Sequence, residues 1–250
     1  MRVCLASLHS RMGSFISGEL NSKDCYSVLE SFYVINDDFM KLVDHCELFL
    51  LDSGAFTFMN TNKKAKISFD EYLEEYIKFI NKHDIKNFFE LDIDVVVGLE
   101  KVEQLRKRLE EGTNKKCIPV WHKSRGKDYF IEMCKNYDYV SIGGIVTKEI
   151  PPSDYKYFSW FIDTAHDYGC QIHALGFTNT NLLSKYKFDS VDSTSWLSGG
   201  RFGNIYLFDG KKIFQYKGNQ KTNREIPYTE YDLHNYYEWI KFQKYAKVHL

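Results

Sequence analysis

The sequence predicts a single α/β domain over residues 1–250, built as a (β/α)8 barrel of the TIM type with a C-terminal β-hairpin and helix. Short apolar runs alternate with amphipathic helical segments, which is the pattern of parallel strands covered by helices. Polar residues or glycines directly follow nearly every run, and a barrel gathers such residues at one rim. An open, doubly wound sheet gives the same alternation, but it collects its functional residues at one switch point.

Seven short apolar runs are predicted to be strands, and an eighth strand is expected within residues 28–35. Apolar residues at helical spacing predict a helix after the N-cap Ser68, a second from Leu99 to about Gly112, and a third between Pro152 and Gly169. The seven predicted strands are residues 2–8, 48–51, 87–91, 117–121, 139–142, 171–175 and 188–191.

Residues 201–250 differ from the rest of the chain and are expected to form an appendage to the barrel. Asp209-Gly210 is a tight-turn signal between the strand-like segments 204–208 and 212–216. A terminal helix is expected over residues 229–246.

This C-terminal region is basic, with nine Lys and Arg against five Asp and Glu. Basic side chains interleaved with Phe214 and Tyr216 are typical of a nucleic-acid surface, although a solvated hairpin has a similar composition. The candidate nucleic-acid-binding residues are Arg201, Lys211, Lys212, Lys217, Lys221 and Arg224.

Composition and charge narrow the class of protein. The chain is 44% hydrophobic with a net charge of −1, which excludes a disordered protein. Its six cysteines, at positions 4, 25, 46, 117, 134 and 170, are too widely spaced for a metal knuckle. No zinc subdomain is therefore expected, and no ligand pattern indicates another metal or an organic cofactor. The sequence has neither a signal-peptide core nor a bilayer-length apolar run, which predicts a cytoplasmic protein, or one of the host cytoplasm if viral.

Asp52 is the first candidate for chemistry because it directly follows the apolar run 48–51. Ser53-Gly54 allows the backbone to turn sharply after it, so that its carboxylate stays near the rim. An aspartate that only caps its own turn gives the same local pattern.

Asp192 is the second candidate and lies in a segment rich in hydroxyl and carboxylate groups. Strand alternation directs Asp189 and Val191 to one side, and Ser190 and Asp192 to the other. A carboxylate that faces the interior is expected to have a binding partner or a function, since burying an unpaired charge costs free energy. A polar barrel layer held by hydrogen bonds is the alternative interpretation.

Further polar residues follow the middle strands. Glu90, Asp92 and Asp94 alternate and are expected to share one face, where a carboxylate could read the N–H edge of a heterocycle. His122 follows the next strand and has either a binding or a structural role. Gly143-Gly144 offers bare backbone N–H groups to a planar ligand, or simply forms a tight turn.

In chain order, these segments resemble the tRNA-guanine transglycosylase superfamily, and most of all its DNA-modifying branch, the DpdA family. Asp52-Ser53-Gly54-Ala55-Phe56 resembles the Asp-Ser-Gly-Gly-Phe motif, and Gly143-Gly144 resembles the Gly-Gly pair that contacts the base. Leu175-Gly176-Phe177 resembles the Met-Gly-Val-Gly segment that precedes the nucleophile. Phe188-Asp189-Ser190-Val191-Asp192-Ser193 resembles Val-Asp-Met-Phe-Asp-Cys, and the resemblance spans residues 1–205.

The resemblance implies a role for each matched residue. Asp192 takes the position of the nucleophile, and Asp52 takes that of the acid/base residue. Asp92 is the first choice for the aspartate that recognises the base, and Asp94 is the second. The other implied substrate-binding residues are Ser53, His122, Gly143, Gly144 and Gly176.

The implied activity is exchange of guanine in a nucleic acid for a 7-deazaguanine base of the preQ0 or preQ1 type, through a covalent glycosyl-enzyme ester. The tRNA enzymes carry a Cys-x-Cys-x2-Cys…His zinc set after the nucleophile, and this sequence has none, so DNA is the expected polymer. The target guanine would be single-stranded or flipped out of a duplex.

Three alternatives stay open at the level of sequence. The first is a tRNA enzyme of the same chemistry, and the second is a glycosidase or nucleosidase in which water replaces the incoming base. The third is a noncatalytic subunit that binds nucleic acid or a partner protein. A homodimer and a partner protein are both compatible with the sequence.

Overall fold

The computed structural model of the chain describes residues 1–11, 27–55, 57, 68–177, 179–217 and 228–250. Nine strands lie in these residues: β1 Arg2–Ala6, β2 Ser27–Ser31, β3 Leu48–Asp52, β4 Val120–Trp121, β5 Tyr139–Ile142, β6 Gln171–Ala174, β7 Ser190–Ser193, β8 Ile205–Phe208 and β9 Ile213–Tyr216. The helices are α1 Asp37–Val43, α2 Phe69–Lys82, α3 Asp94–Val97, α4 Leu99–Thr113, α5 Gly126–Asn136, α6 Phe158–Asp167, α7 Ser198–Phe202 and α8 Tyr228–His249.

The first seven strands form one curled parallel sheet in the order β3-β2-β1-β7-β6-β5-β4. The first strand of the chain therefore lies in the middle of the sheet, between β2 and β7. In that register Cys4 is opposite Asp192, and Leu5 is opposite both Ser193 and Val28. Because all seven strands run in the same direction, their carboxyl ends lie along one edge.

The two outer strands of this sheet, β3 and β4, both approach the extended segment around Phe88. A parallel bridge joins Leu51 at the end of β3 to Phe88, and another joins Phe89 to Ile118, just before β4. The Leu51 N–H donates to the Asn87 carbonyl over 3.0 Å, and the Ile118 N–H donates to the Phe88 carbonyl over 2.8 Å.

The regular strands nevertheless do not form the closed eight-stranded barrel that the sequence predicts. Residues 87–91 were predicted to be a strand, but they pair only through single bridges. One cause is Glu90, whose side chain accepts the Val120 N–H over 2.8 Å and so takes that group out of main-chain pairing. The strand expected within residues 28–35 is confirmed as β2.

Alternation along the strands divides the apolar side chains into two clusters. The larger cluster packs one face of the sheet against the helices, as Leu5 and Leu51 do. The smaller cluster comes from the other face and contains Cys4, Ala6, Leu29, Leu50, Phe89, Ile118 and Val120. Side chains from strands that are not neighbours contact one another in it, because this face of the curled sheet is concave.

The helices follow the predicted signals with small differences at their ends. Ser68 caps α2 in a reciprocal capping box with Glu71, as its sequence predicts. Helix α4 continues through Gly112, and Asn114 ends it in a left-handed conformation. A 3-10 segment, Pro152–Tyr157, precedes α6. Within the described part of the chain, no helix has both the length and the apolar character needed to cross a bilayer.

The C-terminal helix α8 is packed into the domain. Its Gln243 side-chain amide donates to the carbonyl groups of Val3 and Ser27, at the start of β1 and β2. Asn235, fully buried, accepts the Tyr206 N–H and donates to the carbonyls of Trp196 and Asn204. Helix α8 therefore belongs to the layer of helices on the sheet and also holds the hairpin.

The hairpin of β8 and β9 has the predicted turn at Asp209, whose carboxylate accepts the N–H groups of Lys211 and Lys212. One face of the hairpin leaves apolar side chains in solvent, since Leu207 is 43%, Phe214 42% and Tyr216 54% exposed. Four of the basic candidates are exposed, namely Arg201, Lys211, Lys212 and Lys217. The other two, Lys221 and Arg224, lie outside the described residues.

Asn235 gives a direct test of how α8 holds the domain together. Asn235→Ala is expected to lower the free energy of unfolding by about 3 kcal/mol, because buried main-chain groups lose their partners. Urea unfolding measures this change. The control is Asn136→Ala, which removes one exposed hydrogen bond to Glu132 and is expected to change stability by less than about 0.5 kcal/mol. Equal effects of the two substitutions would contradict this role of Asn235.

Candidate active site

The carboxyl edge of the parallel sheet brings together the polar residues that follow its strands. Asp52 ends β3, and Asp192 lies near the end of β7. His122 follows β4, Gly143 follows β5, and Gly176 lies just beyond β6. The sequence-predicted candidates from these strands therefore lie along one edge, where α/β enzymes place their chemistry.

Asp52 is half-buried, and its environment favours the protonated form. Burial is the main cause, and it raises the pKa of Asp52 to about 7. The Gly54 N–H, which donates to Asp52 Oδ2 over 2.9 Å, acts in the opposite direction. The negative charges of Asp92, Asp192 and Glu30 add to the rise. Asp52 can therefore both give and take a proton near neutral pH.

Asp192 is buried and is held by N–H donors on one of its two oxygens. Oδ1 accepts the Gly176 N–H over 2.6 Å and lies 3.3 Å from His173 Nε2. Within the described residues, Oδ2 accepts no hydrogen bond. As predicted, Ser190 and Asp192 point to the same side of β7, and both contact His173. Val191 packs in the cluster on the other side.

His122 lies between two carboxylates. Its Nε2 is 2.6 Å from Asp92 Oδ1, and its Nδ1 is 2.9 Å from Glu149 Oε2. Burial lowers the pKa of His122, but the hydrogen bonds and charges of these carboxylates outweigh it and raise the pKa to about 9. The imidazole is therefore charged at neutral pH, and it holds Asp92 in place.

The three acidic residues of segment 90–94 lie close to one another, and each binds a cation. Glu90, fully buried, binds Arg125 Nη1 over 2.9 Å and Arg106 Nη1 over 3.2 Å. Asp94 begins α3, which ends the extended conformation, and it accepts from Arg125 Nε over 3.0 Å. Asp92 alone binds His122. Glu90 and Asp94 share the Arg125 guanidinium, Arg106 is a second cation at Glu90, and His122 pairs with Asp92, which relieves the repulsion between the carboxylates.

Asp92 is more available to a ligand than Asp94. Its side chain is 29% exposed, against 8% for Asp94. Asp92 Oδ2 accepts no hydrogen bond from the described residues. One ligand atom each from Asp92, Asp94 and His122 lies within 4.8 Å of the others. These atoms already pair with one another or with Arg125, so a metal ion would have to displace those contacts.

Gly143 and Gly144 make room for the His122–Glu149 pair. A Cβ atom at Gly143 would lie 2.7 Å from His122 Cε1, and one at Gly144 would lie 2.9 Å from Glu149 Oε2. The Gly143 N–H donates to the Trp121 carbonyl over 2.8 Å, so the sheet uses the amide that was expected to contact a ligand. Close packing against His122 gives a reason for glycine at this position.

Ser53 and Gly176 shape the turns next to the two aspartates. Ser53 is buried, and its carbonyl accepts the Tyr72 hydroxyl over 2.7 Å, which fixes the chain after Asp52. Gly176 has φ +70, a conformation in which its N–H points at Asp192.

Four contributors to the site were not predicted from the sequence: His9, Glu30, Glu149 and His173. Glu30, nearly fully buried at the end of β2, accepts the His9 N–H over 2.9 Å and lies 2.8 Å from His9 Nδ1. A histidine inside the apolar run of β6 was a usable signal for His173. His9 lies in a short 3-10 segment and Glu149 in a loop, and neither had such a signal.

No family model matches the chain, and a comparison with curated proteins found no match either. The geometry and charge of this edge of the sheet are therefore the features that indicate a function.

The charge on His122 gives a prediction for NMR titration. Asp92→Asn is expected to lower the pKa of His122 from about 9 towards the ordinary histidine value of about 6.5, because the main favourable charge is lost. The raised pKa adds to the stability of the folded state, and this contribution is fully present below about pH 6.5. It is lost as the pH rises through about 9. Asp154→Asn, which affects an exposed pair with Lys123, is the control. An unchanged His122 pKa in Asp92→Asn would contradict the assignment.

The raised pKa of Asp52 predicts a pH-dependent stability. The unfolded chain releases this proton near pH 4 and the folded protein near pH 7, so the folded state loses stability between these values. Asp52→Asn is therefore expected to raise the free energy of unfolding above about pH 7 and to change it little below about pH 4. Urea unfolding of the wild-type protein and of Asp52→Asn across this pH range tests the prediction. Asp163→Asn, on the exposed side of α6, is the control. The same change at all pH values would refute the assignment.

Proposed function

We propose that this protein is a DNA-guanine transglycosylase that exchanges guanine for a 7-deazaguanine base of the preQ0 or preQ1 type. The observation that carries the proposal is a pair of aspartates at one edge of the sheet in complementary environments. Asp52 has a pKa of about 7, as an acid/base residue requires. Asp192 is held by N–H donors on Oδ1, with Oδ2 left for attack. A carboxyl group that can give and take a proton, together with a second one that can act as nucleophile, is the pattern of double displacement at a glycosidic carbon.

In the first half of the reaction, Asp192 Oδ2 attacks C1′ of the guanine nucleotide. The C1′–N9 bond breaks through an oxocarbenium-like transition state, and its electron pair leaves with guanine. Asp52 supplies the proton that the departing base takes up. The product is an ester between Asp192 and C1′, with guanine still in the pocket.

In the second half, the 7-deazaguanine base replaces guanine in the same pocket. Asp52 accepts the proton from its N9, and N9 attacks C1′. The C1′–Oδ2 bond breaks and its electron pair returns to Asp192. Two inversions at C1′ give net retention of configuration.

Asp92 is the residue best placed to recognise the base. Its Oδ2 has no partner among the described residues, while His122 fixes Oδ1. A carboxylate held in this way can accept hydrogen bonds from the N1–H and the amino group of guanine or of a 7-deazaguanine. Asp94 is less suitable because it is buried against Arg125.

A groove in the loops that follow β6 and β7 supports a nucleic-acid substrate. Its volume is about 560 Å³, and its walls come from these loops and from the hairpin. Its lining includes Asn179, Ser195, Phe202 and Phe214. Exposed aromatic rings stack on bases, and nearby Arg201 and Lys211 provide positive charge. DNA, single-stranded or with a flipped guanine, is the polymer proposed.

We also propose that the domain is a (β/α)8 barrel of the TIM type, with residues 87–91 as its fourth strand. The bridges from this segment to Leu51 and Ile118 support the proposal, because they lie on its two sides. The concave cluster that includes Leu50 and Val120 has the composition of a barrel interior.

Base exchange tests the proposed function. Purified protein is incubated with labelled preQ0 or preQ1 and with single-stranded DNA, duplex DNA or tRNA. Label is expected to enter DNA, and Asp192→Asn is expected to lower the rate at least roughly 1,000-fold because the nucleophile is lost. Asp189→Asn is the matched control, since this residue directly precedes β7 but binds the Ile172 N–H and His166 on the other side.

Each other outcome of this experiment changes a defined part of the proposal. Label that enters only tRNA would keep the chemistry and replace the polymer. Release of guanine without incorporation would indicate a hydrolase. Absence of both reactions, or equal activity in Asp192→Asn and Asp189→Asn, would contradict the transglycosylase mechanism.

A further inference from the structure

A chain of hydrogen bonds crosses the interior of the sheet and ends on Asp192. It begins at the Tyr139 hydroxyl, which is hydrogen-bonded to Ser190 Oγ. Ser190 Oγ is in turn hydrogen-bonded to His173 Nδ1, and His173 Nε2 lies 3.3 Å from Asp192 Oδ1. These residues come from β5, β6 and β7, so the chain connects three adjacent strands.

The chain is buried where it meets the aspartate. His173 is fully buried and Ser190 is 1% exposed. The Phe89 ring lies 5.4 Å from the His173 ring, between centroids. At the other edge of the sheet, Tyr139 and Ser190 line a cavity of about 660 Å³. Because the His173 imidazole is fully buried, water cannot replace its hydrogen-bond partners.

The available hydrogens fix the tautomer of His173. A carboxylate only accepts, so Nε2 must carry the hydrogen that faces Asp192. With a neutral ring, Nδ1 then accepts from the Ser190 hydroxyl, and Ser190 Oγ accepts from Tyr139. In this arrangement each hydrogen has one acceptor. With a charged ring, Nδ1 would donate to Ser190 Oγ and the Ser190 hydroxyl would donate to Tyr139, so Nε2 carries its hydrogen towards Asp192 in both cases.

We infer that His173 is a positioning residue, which presents a fixed Nε2–H to Asp192 Oδ1 and so selects Oδ2 as the attacking oxygen. The inference rests on the proposed function, since it assigns the nucleophilic atom of that reaction. The Gly176 N–H donates to the same oxygen, so two donors on Oδ1 set the rotation of the carboxyl group.

The same two donors act in both halves of the reaction. When Oδ2 bonds to C1′, Oδ1 becomes the carbonyl oxygen of the ester and keeps its hydrogen bonds. When the incoming base attacks C1′, the C1′–Oδ2 bond breaks and negative charge returns to the carboxylate. The His173 N–H stabilises that charge as it develops, and no proton moves to or from His173.

Substitutions at His173 and Ser190 test the inference through base exchange. His173→Phe keeps the ring but removes the donor, and it is expected to lower kcat roughly 100-fold with little change in KM for the base. His173→Gln can place an amide N–H near the same point and is expected to recover much of the loss. Thermal unfolding of each variant shows whether the fold is retained.

A double-mutant cycle distinguishes positioning from general packing. Ser190→Ala is expected to lower kcat roughly tenfold in the wild-type background, since it frees the tautomer of His173. In the His173→Phe background it is expected to have no further effect. Independent, additive losses would overturn the inference.

Nitrogen-15 NMR of the imidazole tests the geometry without any activity. The resting protein is expected to show His173 with a hydrogen on Nε2, with the signals assigned by their loss in His173→Gln. An unprotonated Nε2 would overturn the inference. The wild-type protein could show the expected hydrogen on Nε2 and still exchange no base. In that case the proposed function fails, while the hydrogen bond from His173 to Asp192 is retained. Full exchange activity in His173→Phe would refute the positioning role.

Discussion

The parallel pairing of β1 with β7 is the constraint on which the rest of the structure depends. It places the start of the chain beside residues 190–193 and sets Cys4 opposite Asp192. Because β2 and β3 continue the sheet on one side and β6, β5 and β4 on the other, all carboxyl ends lie on one edge. Curling of the sheet then brings the ends of distant strands towards each other, so the charge of Asp192 acts on Asp52.

That arrangement brings several carboxylates close together, and the structure offsets their repulsion in three ways. Glu90 and Asp94 bind the guanidinium of Arg125, and Asp92 binds charged His122. Asp192 Oδ1 accepts the Gly176 N–H and lies 3.3 Å from His173 Nε2. Among the described residues Asp52 pairs with no cation, and burial raises its pKa to about 7. The raised pKa of Asp52 is therefore a property of its surroundings, as acid/base chemistry requires.

The sequence predicted most strands and the edge on which the candidates lie, because strand length and polar ends are local properties. It placed Asp192 and Ser190 on one side through simple alternation. It did not predict that Glu90 would take the Val120 N–H, since that contact depends on the packing of separate segments. For the same reason it assigned the Gly143 amide to a ligand, whereas Gly143 packs against His122. His173 was missed because a lone histidine in an apolar strand has no partner visible in the sequence.

The covalent intermediate gives the most direct measurement. The protein is mixed with a short guanine-containing DNA strand, quenched with acid, and studied by intact-mass and peptide mass spectrometry. An ester between the strand and Asp192 is expected, with the attached sugar lacking guanine, and Asp192→Asn should abolish it. Exchange of base without any adduct on Asp192, or an adduct on another residue, would contradict the assignment of Asp192 as the nucleophile.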